Sequence, residues 1–163
     1  MHWGDLGLLT LICLVFSVRY WAVRTLDVPM WGDSVQHTVL AQLFIDNAGL
    51  FDSWVPYAPY QSLTVHFGFP AQVALFSWLT GFPTYRAALI IGQVLNGLAI
   101  LVLLPLADRL NSNSRWGRAG VLLVAGLLMP MPAFYVNWGR FAQLAGQAIL
   151  PVVIWLTVTL LEQ

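Results

Sequence analysis

The hydrophobic positions along the chain fall into four long, almost uncharged runs separated by polar segments. These runs cover residues 6–23, 87–107, 119–136 and 142–161. About 20 apolar residues in a helix cross the hydrocarbon core of a bilayer, and a spanning helix satisfies its backbone polar groups internally. We therefore predict an all-α integral membrane protein with about four transmembrane helices.

Two shorter helical patterns lie between the first two runs. The polar stretch WGDSVQH, residues 31–37, opens a segment that extends to about residue 48. Apolar residues recur there at spacings of three and four, which is typical of an amphipathic helix; they are Val35, Val39, Leu40, Leu43 and Phe44. Residues 66–81 are also apolar but only sixteen long, which is short for a span. We expect two juxtamembrane amphipathic helices here.

The placement of basic residues predicts the orientation of the chain. All seven basic residues are arginines, and none lies between Arg24 and Arg86, whereas Arg109, Arg115 and Arg118 cluster in one loop. The positive-inside rule puts that cluster in the cytoplasm and residues 25–85 in an extracytoplasmic loop. A single span, 87–107, then separates the extracytoplasmic loop from the arginine cluster. In this arrangement residues 66–81 do not cross the membrane, and both termini are cytoplasmic. A five-span arrangement, in which 66–81 does cross, is the alternative.

Composition supports an integral membrane protein, and we expect a multi-pass protein of a cell membrane, either an inner or a plasma membrane. Hydrophobic residues make up 59% of the chain and charged residues 9%, against about 25% charged residues in soluble domains. The single cysteine, Cys13, excludes an intrachain disulfide. Arg19 interrupts the first run, and we expect its side chain to snorkel towards the interface. The lipid bilayer is the expected environment, and no nucleic-acid partner is expected.

Asp33 and His37 are the first candidates for chemistry. They lie four residues apart on a predicted helix and therefore point the same way. A carboxylate beside an imidazole above a membrane suits proton transfer or phosphate handling. The alternative is structural, because Asp33 followed by Gln36 resembles a capping box at a helix start. Both roles could hold together.

The order of features along the chain is more informative than any single motif. After the first run come Asp33 at a helix start, a stretch rich in Pro and Tyr around residues 54–60, and His66 four residues before Pro70. A short connection from Gly81 to Arg86, a span, the arginine-rich loop, a span ending in prolines and the polar loop NWGR follow. This order resembles the N-terminal module of the polytopic GT-C glycosyltransferases, such as the protein mannosyltransferases and the aminoarabinose transferases of lipid A.

The resemblance implies transfer of a sugar from a polyprenyl-phosphate donor to an unknown acceptor on the extracytoplasmic face. It makes Asp33 the candidate catalytic residue, as a general base or a metal contact. His66 and Arg140 would lie near the lipid phosphate. The full set of candidate substrate-binding residues is His37, His66, Arg140, Tyr57, Tyr60 and Gln143.

No metal ligand set is predicted, although a divalent cation could lie near Asp33. Many relatives carry an acidic residue in the second outside loop, and this chain has none between Asp108 and Glu162. One carboxylate and one imidazole make a poor cage for a hard divalent ion.

Members of this family are longer, so residues 1–163 are expected to form a single transmembrane module corresponding to the N-terminal part of such an enzyme. The competing hypothesis is a non-catalytic membrane subunit, or a lipid-binding module of a larger complex. A transporter or channel is disfavoured, because the predicted spans contain almost no ionisable residues to mark a path.

Overall fold

A computed structural model of the chain describes residues 3–61, 66–112 and 114–162, and this part of the chain contains helices but no strand. The helices are α1 (Trp3–Val23), α2 (Gly32–Asp46), α3 (Gly68–Thr80), α4 (Thr84–Leu101), α5 (Leu104–Leu110), α6 (Arg115–Leu123), a π-helical turn (Val124–Leu128), α7 (Ala133–Asn137) and α8 (Phe141–Leu161).

Four helical stretches are long and apolar enough to cross a membrane. They are α1, the combined α4 and α5 (Thr84–Leu110), the combined α6, π-turn and α7 (Arg115–Asn137), and α8. The predicted number and approximate position of the spans are therefore confirmed, and the protein is an all-α membrane protein. Helix α3 has 13 residues and is not among the four, so α2 and α3 are the two short helices outside the spans.

Ion pairs show which helix ends lie together. Arg115 is 3.3 Å from Asp5, so the start of α6 lies beside the start of α1. Arg109 pairs with Glu162, which joins the end of α5 to the end of α8. At the opposite end, Arg86 at the start of α4 is 3.6 Å from Asp27, just after α1. The spans therefore run alternately up and down.

Both ends of α3 lie at the end of the bundle that holds the Asp27–Arg86 pair. Gly81 ends the helix in a left-handed conformation, φ 75°, which a glycine adopts without strain. The chain then enters α4 three residues later. His66, just before α3, lines a cavity with Asp33 and Arg140, which follow α1 and precede α8. Helix α3 thus returns to the surface at which it began, in agreement with the four-span prediction.

Helix α2 packs on α3 through a narrower apolar face than its sequence predicts. Leu40, Leu43 and Phe44 are buried in a cluster with Phe51. Val35, which belongs to the same apolar pattern, is 56% exposed, so the buried part of the apolar face begins after it. The first turn of α2 is instead covered by the loop between α7 and α8.

Arg19 does not snorkel. Its side chain is only 7% exposed, and its Nη2 donates a hydrogen bond to the backbone carbonyl of Gly126, 2.7 Å away in the π-turn. A Cβ on Gly126 would lie 2.7 Å from Val15, so this glycine lets α1 approach the π-turn closely. The short distance between the two segments places a carbonyl within reach of the guanidinium, and Arg19 stays inside the bundle.

Candidate functional site

Asp33 lies in the first turn of α2, near the surface of the bundle. The residue before the helix is Trp31, whose side chain makes no capping hydrogen bond, and its carbonyl accepts from Ser34 and Val35. Asp33 is therefore the second residue of the helix rather than its N-cap, and the capping-box interpretation is wrong. A carboxylate in the first turn still interacts favourably with the helix dipole.

Gly139 fixes the α7–α8 loop against this first turn. It has a φ of +70°, and a Cβ added to it would lie 2.6 Å from both the backbone nitrogen and the Oγ of Ser34. It would also lie 3.0 Å from the Cβ of Asp33. Only a glycine combines this backbone conformation with so close an approach, and the contact determines where the next residue, Arg140, is placed.

Arg140 and Asp33 form an exposed ion pair. The distance from Arg140 Nε to Asp33 Oδ2 is 3.7 Å, and both side chains are more than half exposed. Pairs of this kind contribute at most about 1 kcal/mol to stability. The pair therefore adds little to the fold, and both groups remain accessible to a ligand.

His37 follows Asp33 by one helical turn and is more deeply placed. Its ring makes edge contacts with Phe69 and Phe141, at centroid distances of 5.4 and 5.6 Å. Those two phenyl rings stack on each other at 4.0 Å. The Nδ1 of His37 is buried and has no hydrogen-bond partner among the described residues.

Burial lowers the pKa of His37 below its ordinary value. The negative charge of Asp33 and a hydrogen bond to the Gly139 backbone act in the opposite direction, and His66 adds to the lowering. The pKa is lowered overall, so the imidazole is mainly neutral at pH 7. A neutral imidazole can accept a hydrogen bond or a proton through its free nitrogen.

Five of the seven predicted site residues line one cavity of about 240 Å³. Its walls are Asp33, His37, His66, Gly139, Arg140, Ala142 and Gln143. A second cavity, of about 300 Å³, is lined by Trp31, Gly32, Asp33, Trp138 and Arg140. The Asp33–Arg140 pair thus borders both cavities, which together we call the polar cleft.

The structure does not bring Tyr57 and Tyr60 to the polar cleft. The hydroxyl of Tyr57 donates to Asp46 Oδ2, 2.9 Å away at the last residue of α2. Thirteen residues of α-helix place Asp46 about 20 Å from Asp33. Tyr60 packs edge-on against Trp54. Any contact of Tyr57 with a substrate would therefore be made far from Asp33, and Tyr60 is not among the residues that line the polar cleft.

Four residues of the site were not anticipated from the sequence: Ser34, Phe69, Gly139 and Phe141. Ser34 is fully buried beneath Gly139, and its Oγ has no partner among the described residues. A glycine in a short connection between two spans does indicate a turn. The sequence does not show which segment Gly139 contacts, because its partner, Ser34, lies about 100 residues earlier.

A metal site receives no support from the geometry. In the described ranges, no three His, Cys, Asp or Glu side chains are grouped so that they could hold an ion. The cleft instead offers one carboxylate, one guanidinium and two imidazoles.

No family model matches this chain, and no curated protein or solved structure matches it either. Since a fold alone does not define an activity, the function has to be argued from the chemistry of the polar cleft.

Proposed function

We propose that this protein is a membrane glycosyltransferase, or part of one, that moves a sugar from a polyprenyl-phosphate donor to an acceptor on the extracytoplasmic face of a cell membrane. The observation that supports this function best is the position of the Asp33–Arg140 pair. A carboxylate and a guanidinium border two cavities at one end of an apolar helical bundle. A lipid-linked donor and a polar acceptor could each enter one cavity.

Asp33 is the general base of the proposed reaction. The acceptor hydroxyl attacks the anomeric carbon of the sugar, and its proton passes to the Asp33 carboxylate. The new C–O bond forms as the bond from the anomeric carbon to the phosphate oxygen breaks, and the lipid phosphate leaves with the electron pair. General base catalysis of this kind typically contributes about 10²–10⁴-fold.

Arg140 and His66 would stabilise the lipid phosphate as negative charge develops on it. Arg140 is more than half exposed, so its guanidinium is available to a ligand as well as to Asp33. Charge-assisted hydrogen bonds from arginine to phosphate are strong and directional. Neutral His37 and the amide of Gln143, which line the same cavity, would hydrogen-bond sugar hydroxyls.

The extracytoplasmic location rests on the distribution of arginines. The polar cleft lies at the end of the bundle opposite Arg109, Arg115 and Arg118. The positive-inside rule would place these three arginines in the cytoplasm and the cleft on the other side.

The test is turnover of a polyprenyl-phosphate sugar by the purified protein, measured as released polyprenyl phosphate. Asp33→Asn keeps the shape of the side chain and removes the base, so we expect turnover to fall about 10²-fold or more. The matched control is Asp52→Asn, which neutralises an exposed aspartate outside α2 and should leave turnover unchanged.

Two results would count against the proposal. If Asp33→Asn turns over donor at the wild-type rate, Asp33 is not the base. If the wild-type protein binds the donor saturably but releases no polyprenyl phosphate with any acceptor mixture tried, the lipid-binding module becomes the better hypothesis.

A further inference from the structure

A further cavity lies between the spans, separate from the polar cleft. It measures about 440 Å³ and is bordered by α1, α4, α7 and the start of α8, with the segment after α1 along one side. Its walls are mainly apolar, including Val18, Leu26, Met30, Leu89 and Phe134. Phe141 lines this cavity and also contacts His37, so its ring separates the cavity from the polar cleft.

Four polar side chains interrupt these apolar walls, and the first is the buried cation Arg19. Its Nη2 donates to the Gly126 carbonyl, but its Nε is buried and has no hydrogen-bond partner in the part of the chain that the structure describes. None of the ion pairs in the described ranges includes Arg19, so no carboxylate there lies within 4 Å of it. A buried charge inside a span is costly unless it is compensated.

The other three are amides, and one of them is Asn137, the last residue of α7. Gln93 and Asn96 are the other two. They are three residues apart on α4 and therefore face the same way, and both are buried. Asn96 is only 1% exposed, and its Oδ1 has no partner among the described residues. Each amide carries two N–H donors in addition to its oxygen. The cavity thus combines a cation with amide donors inside walls that suit hydrocarbon.

We propose that this cavity binds a long-chain carboxylate, that is, a fatty-acid-like molecule with its head group on Arg19 and its chain along the apolar walls. The single guanidinium matches a single negative charge. A carboxylate is planar and pairs with arginine through two parallel hydrogen bonds. A phosphate monoester carries about −1.5 to −2 charges near neutral pH and would leave negative charge unbalanced in an apolar environment. An uncharged lipid would leave Arg19 uncompensated.

The experiment is equilibrium binding of radiolabelled palmitate to the purified chain in a neutral detergent, with three competitors. Unlabelled palmitate should displace the label. Hexadecanol, which has the same chain without the charge, should compete at least about tenfold more weakly, because one charge-assisted pair exceeds about 1.4 kcal/mol. Hexadecyl phosphate should also compete more weakly than palmitate.

The matched variants are Arg19→Gln and Arg24→Gln. Both remove one positive charge from the same end of α1, but Arg24 is exposed and stacks on Trp21 instead of lining the cavity. Arg19→Gln should weaken palmitate binding by about tenfold or more, whereas Arg24→Gln should stay within about twofold of the wild type.

Ala133→Phe is a second variant that keeps Arg19 in place. Ala133 lines the cavity from the first residue of α7, so a phenyl ring there should fill it and abolish binding. If Arg19→Gln does not fold, Ala133→Phe still tests whether palmitate binds in this cavity.

Three outcomes would overturn the proposal. They are equal competition by hexadecanol, stronger competition by hexadecyl phosphate, and wild-type palmitate affinity in Ala133→Phe or in folded Arg19→Gln. The proposal does not depend on transferase activity, because the measurement involves no sugar donor and Arg19 lies outside the polar cleft.

Discussion

At the scale of single residues, the polar cleft depends on how closely the α7–α8 loop approaches the start of α2. The approach is set by Gly139, because both its backbone conformation and its lack of a Cβ are needed next to Ser34. Asp33 and Arg140 would lose their relative placement if this loop moved away. The geometry of the cleft therefore depends on Gly139 as well as on the two charged residues.

Gly139→Ala tests this dependence. An L-residue at φ +70° costs about 1–3 kcal/mol, and the added methyl group would also overlap Ser34. We expect a lower midpoint of thermal unfolding in detergent, together with reduced donor turnover. The control is Gly146→Ala in α8, where nothing lies within 4 Å of the new Cβ. That change should be neutral or stabilising by up to about 1 kcal/mol, because alanine is the better helix former. Equal midpoints for the two variants would contradict the proposed contact.

His37 should make stability depend on pH. Its pKa is lowered in the folded protein, mainly by burial, so the unfolded chain binds a proton at a higher pH than the native chain does. Folding stability contributed by neutral His37 is present above the unfolded pKa, about 6.5. It is lost as the pH falls through the lowered folded pKa. The charged and titratable groups that share its cavity are Asp33, His66 and Arg140.

The measurement is the midpoint of thermal unfolding between pH 7.5 and pH 5. We expect the wild-type midpoint to fall over this range, and His37→Phe, which cannot be protonated, to reduce the fall. His66→Gln should reduce the fall less than His37→Phe does, because His66 supplies only one of the smaller contributions that lower the pKa of His37. A pH dependence that is unchanged in His37→Phe would show that other groups cause it.

At the scale of the helices, the sequence predicts what depends on local pattern and misses what depends on contact. Run length alone located the four spans, because a bilayer requires about 20 apolar residues in a row. The shortness of residues 66–81 and the count of crossings predicted that both ends of α3 lie at one end of the bundle, as they do. The capping-box alternative was wrong because it put the N-cap of α2 at Asp33, whereas Trp31 precedes the helix.

In the candidate site, too, local pattern predicts some features, whereas others depend on contacts between distant segments. Asp33 and His37 share a cavity because helical spacing puts them on one side. The pairing of Asp33 with Arg140 could be expected only from the resemblance, and the stack of Phe69 on Phe141 could not be expected at all. The buried position of Arg19 was missed because snorkelling is the usual behaviour of an arginine in a span, and only the nearby Gly126 carbonyl changes that.

The buried face of α2 provides a test at this scale. Leu43 is fully buried against α3, so Leu43→Ala should cost about 2–5 kcal/mol through lost contacts and the cavity left behind. Val35 belongs to the same apolar pattern but is exposed, and Val35→Ala should change the unfolding midpoint little. Urea or thermal unfolding of the two purified variants distinguishes them. If Val35→Ala is the more damaging, α2 packs through a different face.

At the scale of the whole molecule, the four spans and the ion pairs at their ends give an alternating bundle whose orientation is predicted by its arginines. Single-cysteine labelling in a Cys13→Ser background tests the orientation. An impermeant maleimide added to intact cells should label Asp52→Cys but not Ser112→Cys, which lies in the loop with Arg109 and Arg115. Both positions are exposed, so both should react after the membrane is permeabilised. The reverse pattern would invert the bundle and place the polar cleft in the cytoplasm.

The contact between Gly139 and Ser34 also constrains how the protein is made. The two residues are about 100 positions apart, so α2 leaves the ribosome long before the loop that covers it. At a synthesis rate of about 5–20 residues per second, Ser34 and Asp33 remain uncovered by the α7–α8 loop for at least several seconds. Two further spans have to be inserted during this interval. The polar cleft therefore forms late in biogenesis, and an insertase or chaperone that shields the start of α2 would act before α7 arrives.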